Sequence, residues 1–343
     1  MTRRLLLAFT LALGLSFVPG TAGVAVRGAD LPSRLSDQDF WQLTTDSSEP
    51  NGYFRSENLT SNELWFQHVV PDLVSRTSPG GAYLGVGPEQ NFTYIVAVRP
   101  AIAIIFDIRR GNLWVQLMYK AVFELARDRA DFISMLFSKT RPAGVGSESA
   151  VGDLFSAFAV APASDALYTK NLKVIQDHLT NTHHLPLPPE DLTGIEHVYR
   201  TFYENGFAIR YWPTYADLMT ATDEAGTPRS YLATEANFAL LKNLESRNLV
   251  VPVVGDFGGP KAIRTIGTYL RKHDATVTAF YLSNVEQYLY QDGKGMAFCR
   301  NVASLPLDVR STFIRSSSRG GGGGRFVSSL GAMADEVKIC GGA

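Results

Sequence analysis

Cysteine is almost absent from this chain: of 343 residues only Cys299 and Cys340 carry thiols. Two thiols cannot build a disulfide scaffold. They either pair, in an oxidising compartment, or stand as one buried thiol and one on a mobile tail. An excess of charge of one sign is also lacking, with 32 Lys and Arg against 33 Asp and Glu, a net charge of -1. No global field recruits nucleic acid or an anionic membrane. No apolar run reaches the roughly 20 residues of a spanning helix. The six histidines form neither a His-Glu-x-x-His pattern nor a pair four apart on one helix, so no metal site is expected. His183 and His184 lie by a proline-rich loop, where adjacent side chains diverge. A Gly-x-Ser-x-Gly nucleophile elbow is missing, which counts against a hydrolase.

What is present is apolar. Hydrophobic residues make up 45% of the chain and charged residues 19%, enough for a sizeable core and too few charges for wholesale disorder. Arg3 and Arg4 precede an uncharged run over 5–18, then Pro19-Gly20 and small residues to Ala29. This is the order of a secretory signal, with cleavage expected after Ala22, Ala25 or Ala29. Residues 1–29 are therefore read as a signal peptide, and the mature protein as exported, periplasmic or secreted, with no membrane span.

The most informative segment is Ala82 to Asp107. It reads as strand, glycine loop (Gly85-Val86-Gly87-Pro88), helix, and a second strand ending in an acid. A parallel βαβ unit puts the glycine turn and Asp107 on one sheet edge, where a ribose-bearing cofactor is usually held. About 20 residues separate the first glycine from the acid, the interval expected for that role. Glu89 would repel a pyrophosphate, and suits a ligand bearing a cation or hydroxyl donors. That points away from dinucleotides and towards S-adenosylmethionine.

Around this unit, residues 30–80 read as lead-in helices, one over 37–43 capped by Ser36 and one ending near Pro71. Residues 112–247 are mostly helical and too long for a simple crossover, so they are expected as an insertion that caps the cleft. The aromatic group Phe202, Tyr203, Phe207, Tyr211, Trp212 and Tyr215 within it suits either a pocket wall or core packing. The sheet resumes with the run 249–254, which reads as a strand buried on both faces, and continues at 275–282, with an edge strand at 312–315. The α/β domain spans 81–315. Residues 316–343, with five consecutive glycines, read as a flexible tail. Asp256, Asn284 and Glu286 follow strands at the predicted ligand edge and are the candidate catalytic residues; helix capping is the competing role for the first two.

Four segments carry a resemblance: 83–94, Phe106-Asp107-Ile108-Arg109, 254–261 and 280–289. Together they resemble a bacterial family of hypothetical proteins whose core is similar to class I S-adenosylmethionine-dependent methyltransferases. The resemblance covers roughly residues 50–315. It implies a Rossmann-like, doubly wound α/β sheet with a large helical insertion. The cofactor set it implies is Gly85, Gly87, Glu89, Gln90, Asn91 and Asp107, with Asp256 near the transferred methyl. Gly85 falls where many such enzymes carry an acid for the methionine amine, and Glu89 is read as its replacement. Roles for Asn62 and Glu63 in the cleft rest on the same resemblance. The expectation is an exported methyltransferase-like protein with an unidentified small-molecule substrate. The alternatives are a non-catalytic exported binding protein on the same scaffold and, less favoured, a hydrolase using Asp256 or Glu286.

Overall fold

The computed structural model describes residues 30–318 and 326–341. Residues 1–29, read above as a signal peptide, and the glycine run lie outside the described residues. Ser36 accepts the Asp39 amide at 3.0 Å and starts α1 (Asp37–Ser47). Pro71 does not end the next helix. It sits in the first turn of α2 (Val70–Arg76), where a missing N–H costs nothing.

The βαβ unit is β1 (Ala82–Val86), α3 (Gln90–Val98) and β2 (Ile102–Asp107). The insertion carries α4 (Arg110–Leu125), α5 (Arg129–Leu136), α6 (Val151–Ala159), α7 (Asp165–Asp177), α8 (Pro189–Asn205), α9 (Tyr215–Thr220) and α10 (Glu235–Ser246). Then come β3 (Val250–Val254), α11 (Ala262–Lys272), β4 (Val277–Ser283), α12 (Val285–Gln291), α13 (Gly295–Ala303), β5 (Thr312–Ser318), β6 (Phe326–Ala332) and α14 (Met333–Glu336).

The fold is α/β, with one six-stranded, mostly parallel sheet in the order β3-β2-β1-β4-β5-β6. Strands β2 and β3 are buried at every position, which is why they read as unbroken apolar runs. Chain order reverses direction at β1, so a crevice opens beyond the carboxyl ends of β1 and β4.

Two expectations need correction here. Strand β5 is not the edge. It pairs antiparallel with β6, from Thr312–Ala332 to Ser318–Phe326. Residues 326–341 are therefore structured where composition suggested a loose tail, because β6 covers the open edge of β5 and removes unpaired backbone groups. The two cysteines pair: Cys299 of α13 is joined to Cys340 with their Cα atoms 5.7 Å apart. Closing a loop of 41 residues restricts the unfolded chain by about 4 kcal/mol in the entropic account. Cys340→Ser should lower unfolding free energy by about 2–4 kcal/mol in non-reducing denaturant titrations, and an unchanged midpoint would contradict that.

The insertion is fastened to the sheet by aromatic packing. Phe92 of α3 meets Tyr119 and Phe123 of α4 and Tyr231 edge-on, with centroids 5.1–5.4 Å apart. Phe202 and Tyr215 belong to this buried core, whereas Tyr211 is 97% exposed. The aromatic group at 202–215 thus splits between core and surface, and its core members are packing residues.

Candidate functional site

The crevice at the strand tips encloses about 970 Å³ of space, part of it open to solvent. Its floor is made by Val86-Gly87-Pro88, Asp107-Ile108, Gly255-Asp256-Phe257 and Ser283-Asn284. These are the residues that follow β1, β2, β3 and β4. The roof is a strap from the lead-in, Tyr53 to Glu63, together with Tyr288 and Lys294. Phe54 meets Tyr288 edge-on at 5.2 Å. Arg55 donates to the Tyr288 hydroxyl at 3.2 Å, closing that side.

The predicted residues separate into those that face the space and those that build its walls. Gly87 faces it: φ is +80°, and a Cβ there would meet no neighbour. Asp107 lines it while accepting the Arg109 amide at 2.8 Å. Burial pushes the Asp107 carboxyl above its ordinary value, against the opposing charge of Arg109. Asp256 and Asn284 also line it. Asp256 is held by Lys294 at 2.5 Å and accepts the Gly258 amide at 2.8 Å. The capping role that aspartate can play is taken by Glu49, which accepts the amides of Lys261 at 2.8 Å and Ala262 at 3.0 Å.

Gly85, Glu89, Gln90, Asn91 and Glu286 are not among the lining residues. Gly85 makes room for Asn91, because a Cβ there would collide with the Asn91 Oδ1. That side chain is a clamp on the glycine loop. Its Nδ2 donates to the carbonyls of Val86 at 2.9 Å and Pro88 at 2.8 Å, and its Oδ1 accepts the Tyr83 hydroxyl at 2.9 Å. Glu89 is fully buried and accepts the Ser61 amide with both oxygens, at 3.0 and 3.2 Å. Burial raises its pKa to about 7, although the Ser61 amide pulls the other way. Gln90 donates to Glu63 at 2.8 Å and to the Tyr94 hydroxyl at 3.0 Å. Glu286 is engaged with Arg315. The segment 89–91 therefore holds the strap onto the loop rather than presenting groups to a ligand.

The strap supplies Glu63, which is 2% exposed and lies at the tip of β4. Its carboxylate accepts Tyr281 Oη at 2.9 Å and Ser283 Oγ at 2.5 Å. Burial and the charge of Glu63 push the Tyr281 phenol far above its ordinary value, so it stays protonated and donates. Ser283 has φ +52°, a left-handed conformation that a non-glycine residue adopts only when its surroundings enforce it. The turn aims Ser283 at Glu63 and carries Asn284 into the crevice.

A second grouping lies outside the crevice, near the far end of α4. Glu124, His178 and His183 bring one ligand atom each within 4.8 Å of one another. The expectation of no metal site rests on the lack of a spaced histidine motif; these three side chains are gathered instead through the π-helical turn His178–Thr182, whose spacing a search for pairs four apart does not find.

The family model for a domain of unknown function, DUF7790, matches residues 54–331. The chain belongs to that family. The matched span takes in the strap from Phe54 onward and all six strands of the sheet apart from Ala332 at the end of β6. Comparison with curated proteins finds no match. The DUF7790 span includes every residue that lines the crevice apart from Tyr53. Among the described residues, no helix is long and apolar enough to cross a membrane.

Proposed function

We propose that this protein binds an adenosyl ligand, S-adenosylmethionine or a related nucleoside, in the crevice, as an exported methyltransferase-like protein. The observation that carries the reading is the joint position of Gly87 and Asp107 at the carboxyl ends of the paired strands β1 and β2, both lining the crevice beside the switch point between β1 and β4. The strand order agrees with the Rossmann-like reading, although the last strand runs antiparallel. Asp107 would accept the ribose hydroxyls, and Ile108 and Phe257 beside it offer an apolar surface for a flat base.

The sheet order changes the expected roles of the acids. Asp256 follows β3, on the far side of β2 from β1, so it stands at the base end of such a ligand. The transferring end would lie over β4, beside Glu63, Tyr281, Ser283 and Asn284. Methyl transfer needs alignment more than acid–base chemistry, which suits a site where Glu63 already accepts three donors. Engagement of Asp256 by Lys294 and of Glu286 by Arg315 disfavours the hydrolase reading. The Cys299–Cys340 bond is consistent with export to an oxidising compartment. A non-catalytic binding protein would use the same floor.

Calorimetric titration of the full chain with S-adenosylmethionine and S-adenosylhomocysteine tests the proposal. Saturable binding is expected, weakened about 100-fold in Asp107→Ala through loss of charged hydrogen bonds. No heat from a folded protein would overturn it.

A further inference from the structure

We propose that Glu124, His178 and His183 form a divalent transition-metal site, with zinc as the natural occupant by ligand chemistry. Glu124 lies in the last turn of α4; His178 opens the π-helical turn that follows α7, and His183 comes directly after it. An ordinary helix turns residues five apart away from each other. Here the hydrogen bond from the His183 amide to the His178 carbonyl, 3.0 Å, spans five residues. It brings both imidazoles to one side, with centroids 4.9 Å apart. Short π-helical segments are frequent at functional sites.

The arrangement calls for positive charge at its centre. Both Nε2 atoms point at the same Glu124 oxygen, His178 at 2.8 Å and His183 at 2.6 Å. The other nitrogen of His183 faces Asp37 Oδ1 at 2.6 Å, and Asp37 is itself held by Asn248 at 2.8 Å. Asp37 thus fixes the Nδ1–H tautomer and leaves Nε2 free to ligate, the carboxylate–histidine arrangement that orients metal ligands. Either one proton on each imidazole or one cation among the three atoms neutralises the convergence. Lys120 occupies the second Glu124 oxygen at 2.6 Å, leaving the first for the ion.

Two nitrogens and one carboxylate oxygen are ligands that zinc accepts, with a fourth position open to water. Ligand atoms on a tetrahedral zinc lie about 3.3 Å apart, so the two nitrogen–oxygen spacings of 2.8 and 2.6 Å open by less than about 1 Å on binding. The site is partly accessible, with side-chain exposures of 8%, 16% and 10% for Glu124, His178 and His183. It lies about 20 Å along α4 from the crevice, so its role is a clamp joining α1, α4 and the turn after α7, not chemistry on the crevice ligand.

The test is uptake of Zn²⁺ by the tag-free full chain after chelator treatment. One equivalent should be retained through gel filtration, and Co²⁺ should give the visible bands of a low-coordinate site. His178→Asn and His183→Asn should each lose retention, and Asp37→Asn should weaken binding about 10–100-fold as a positioning residue. His197→Ala, at a surface imidazole beside Glu57, should bind as the unaltered chain does. Absence of saturable uptake by the unaltered chain overturns the site, whatever the variants do. So does retention undiminished in both histidine variants.

Discussion

Arg129→Leu should cost about 3–5 kcal/mol of unfolding free energy, the range for removing one member of a buried, fully paired charge network. The Arg129 side chain is 2% exposed, and its guanidinium serves five acceptors. Nη1 donates to the carbonyls of Leu232 at 2.9 Å and Ala233 at 3.1 Å, and Nη2 to those of Ser147 at 2.7 Å and Ser149 at 2.8 Å. Nε reaches Glu235 at 3.1 Å. These acceptors lie on two separate stretches of the insertion, so the guanidinium is the shared donor that holds the stretches against α5. Leucine fills much of the volume and leaves four carbonyls without that donor, each a desolvation cost of about 1–3 kcal/mol where water does not enter. Denaturant titration of Arg129→Leu reads the effect. A loss below about 1 kcal/mol would mean that water replaces the guanidinium at little cost and that the insertion does not depend on it.

Glu89 should make the protein less stable as pH rises. Its folded pKa is about 7 against an ordinary 4.5, because burial disfavours the charged carboxylate. The folded state therefore binds the proton more tightly than the unfolded chain does. The contribution is fully present below about pH 4.5 and is lost as pH rises to about 7, a change of roughly 3 kcal/mol. Glu89→Gln keeps an oxygen for the Ser61 amide and has no proton to lose. Its stability should match that of the unaltered chain near pH 4.5 and exceed it by up to roughly 3 kcal/mol at pH 8. Glu245, raised to about 8 by its own burial, slopes in the same direction, so the variant flattens the profile without abolishing the slope. Urea titrations of both proteins across this pH range decide it, and parallel profiles would place the Glu89 pKa near its ordinary value.

The parts of the fold that could be read from the chain were those set by local pattern. The βαβ unit, the apolar runs of β3 and β4, and the capped α1 follow from periodicity, burial and a serine oxygen. Strand β6 could not be read, because 326–332 follows a glycine run and its partner, β5, is reached across that run. Its identity comes from pairing, not from its own composition. Pro71 was misread because one residue both closes an apolar stretch and suits the first turn of a helix.

The same division holds in the crevice. Gly87 and Asp107 were legible because spacing along a βαβ unit places them. Glu89 and Gln90 carry polar groups in the right loop, but whether such groups face ligand or strap depends on a segment nearly 30 residues upstream. Glu63 stands at the tip of β4 only because the lead-in folds back over the sheet, a contact across 220 residues between Glu63 and Ser283. The π-helical turn was hidden for a related reason: its five-residue spacing departs from the helical period on which motif searches are built.

Chain ends are ordinarily where folded domains fray and where proteases start. The segment shared with the family begins at residue 54 and ends at 331, and on both flanks this chain is stitched back to it. Upstream, Asp37 grips His183 and Glu49 grips the start of α11; downstream, Cys340 is bonded to α13. The flanks thus act as end-seals on a shared core, so that opening the sheet from either side first requires breaking a long-range fastening.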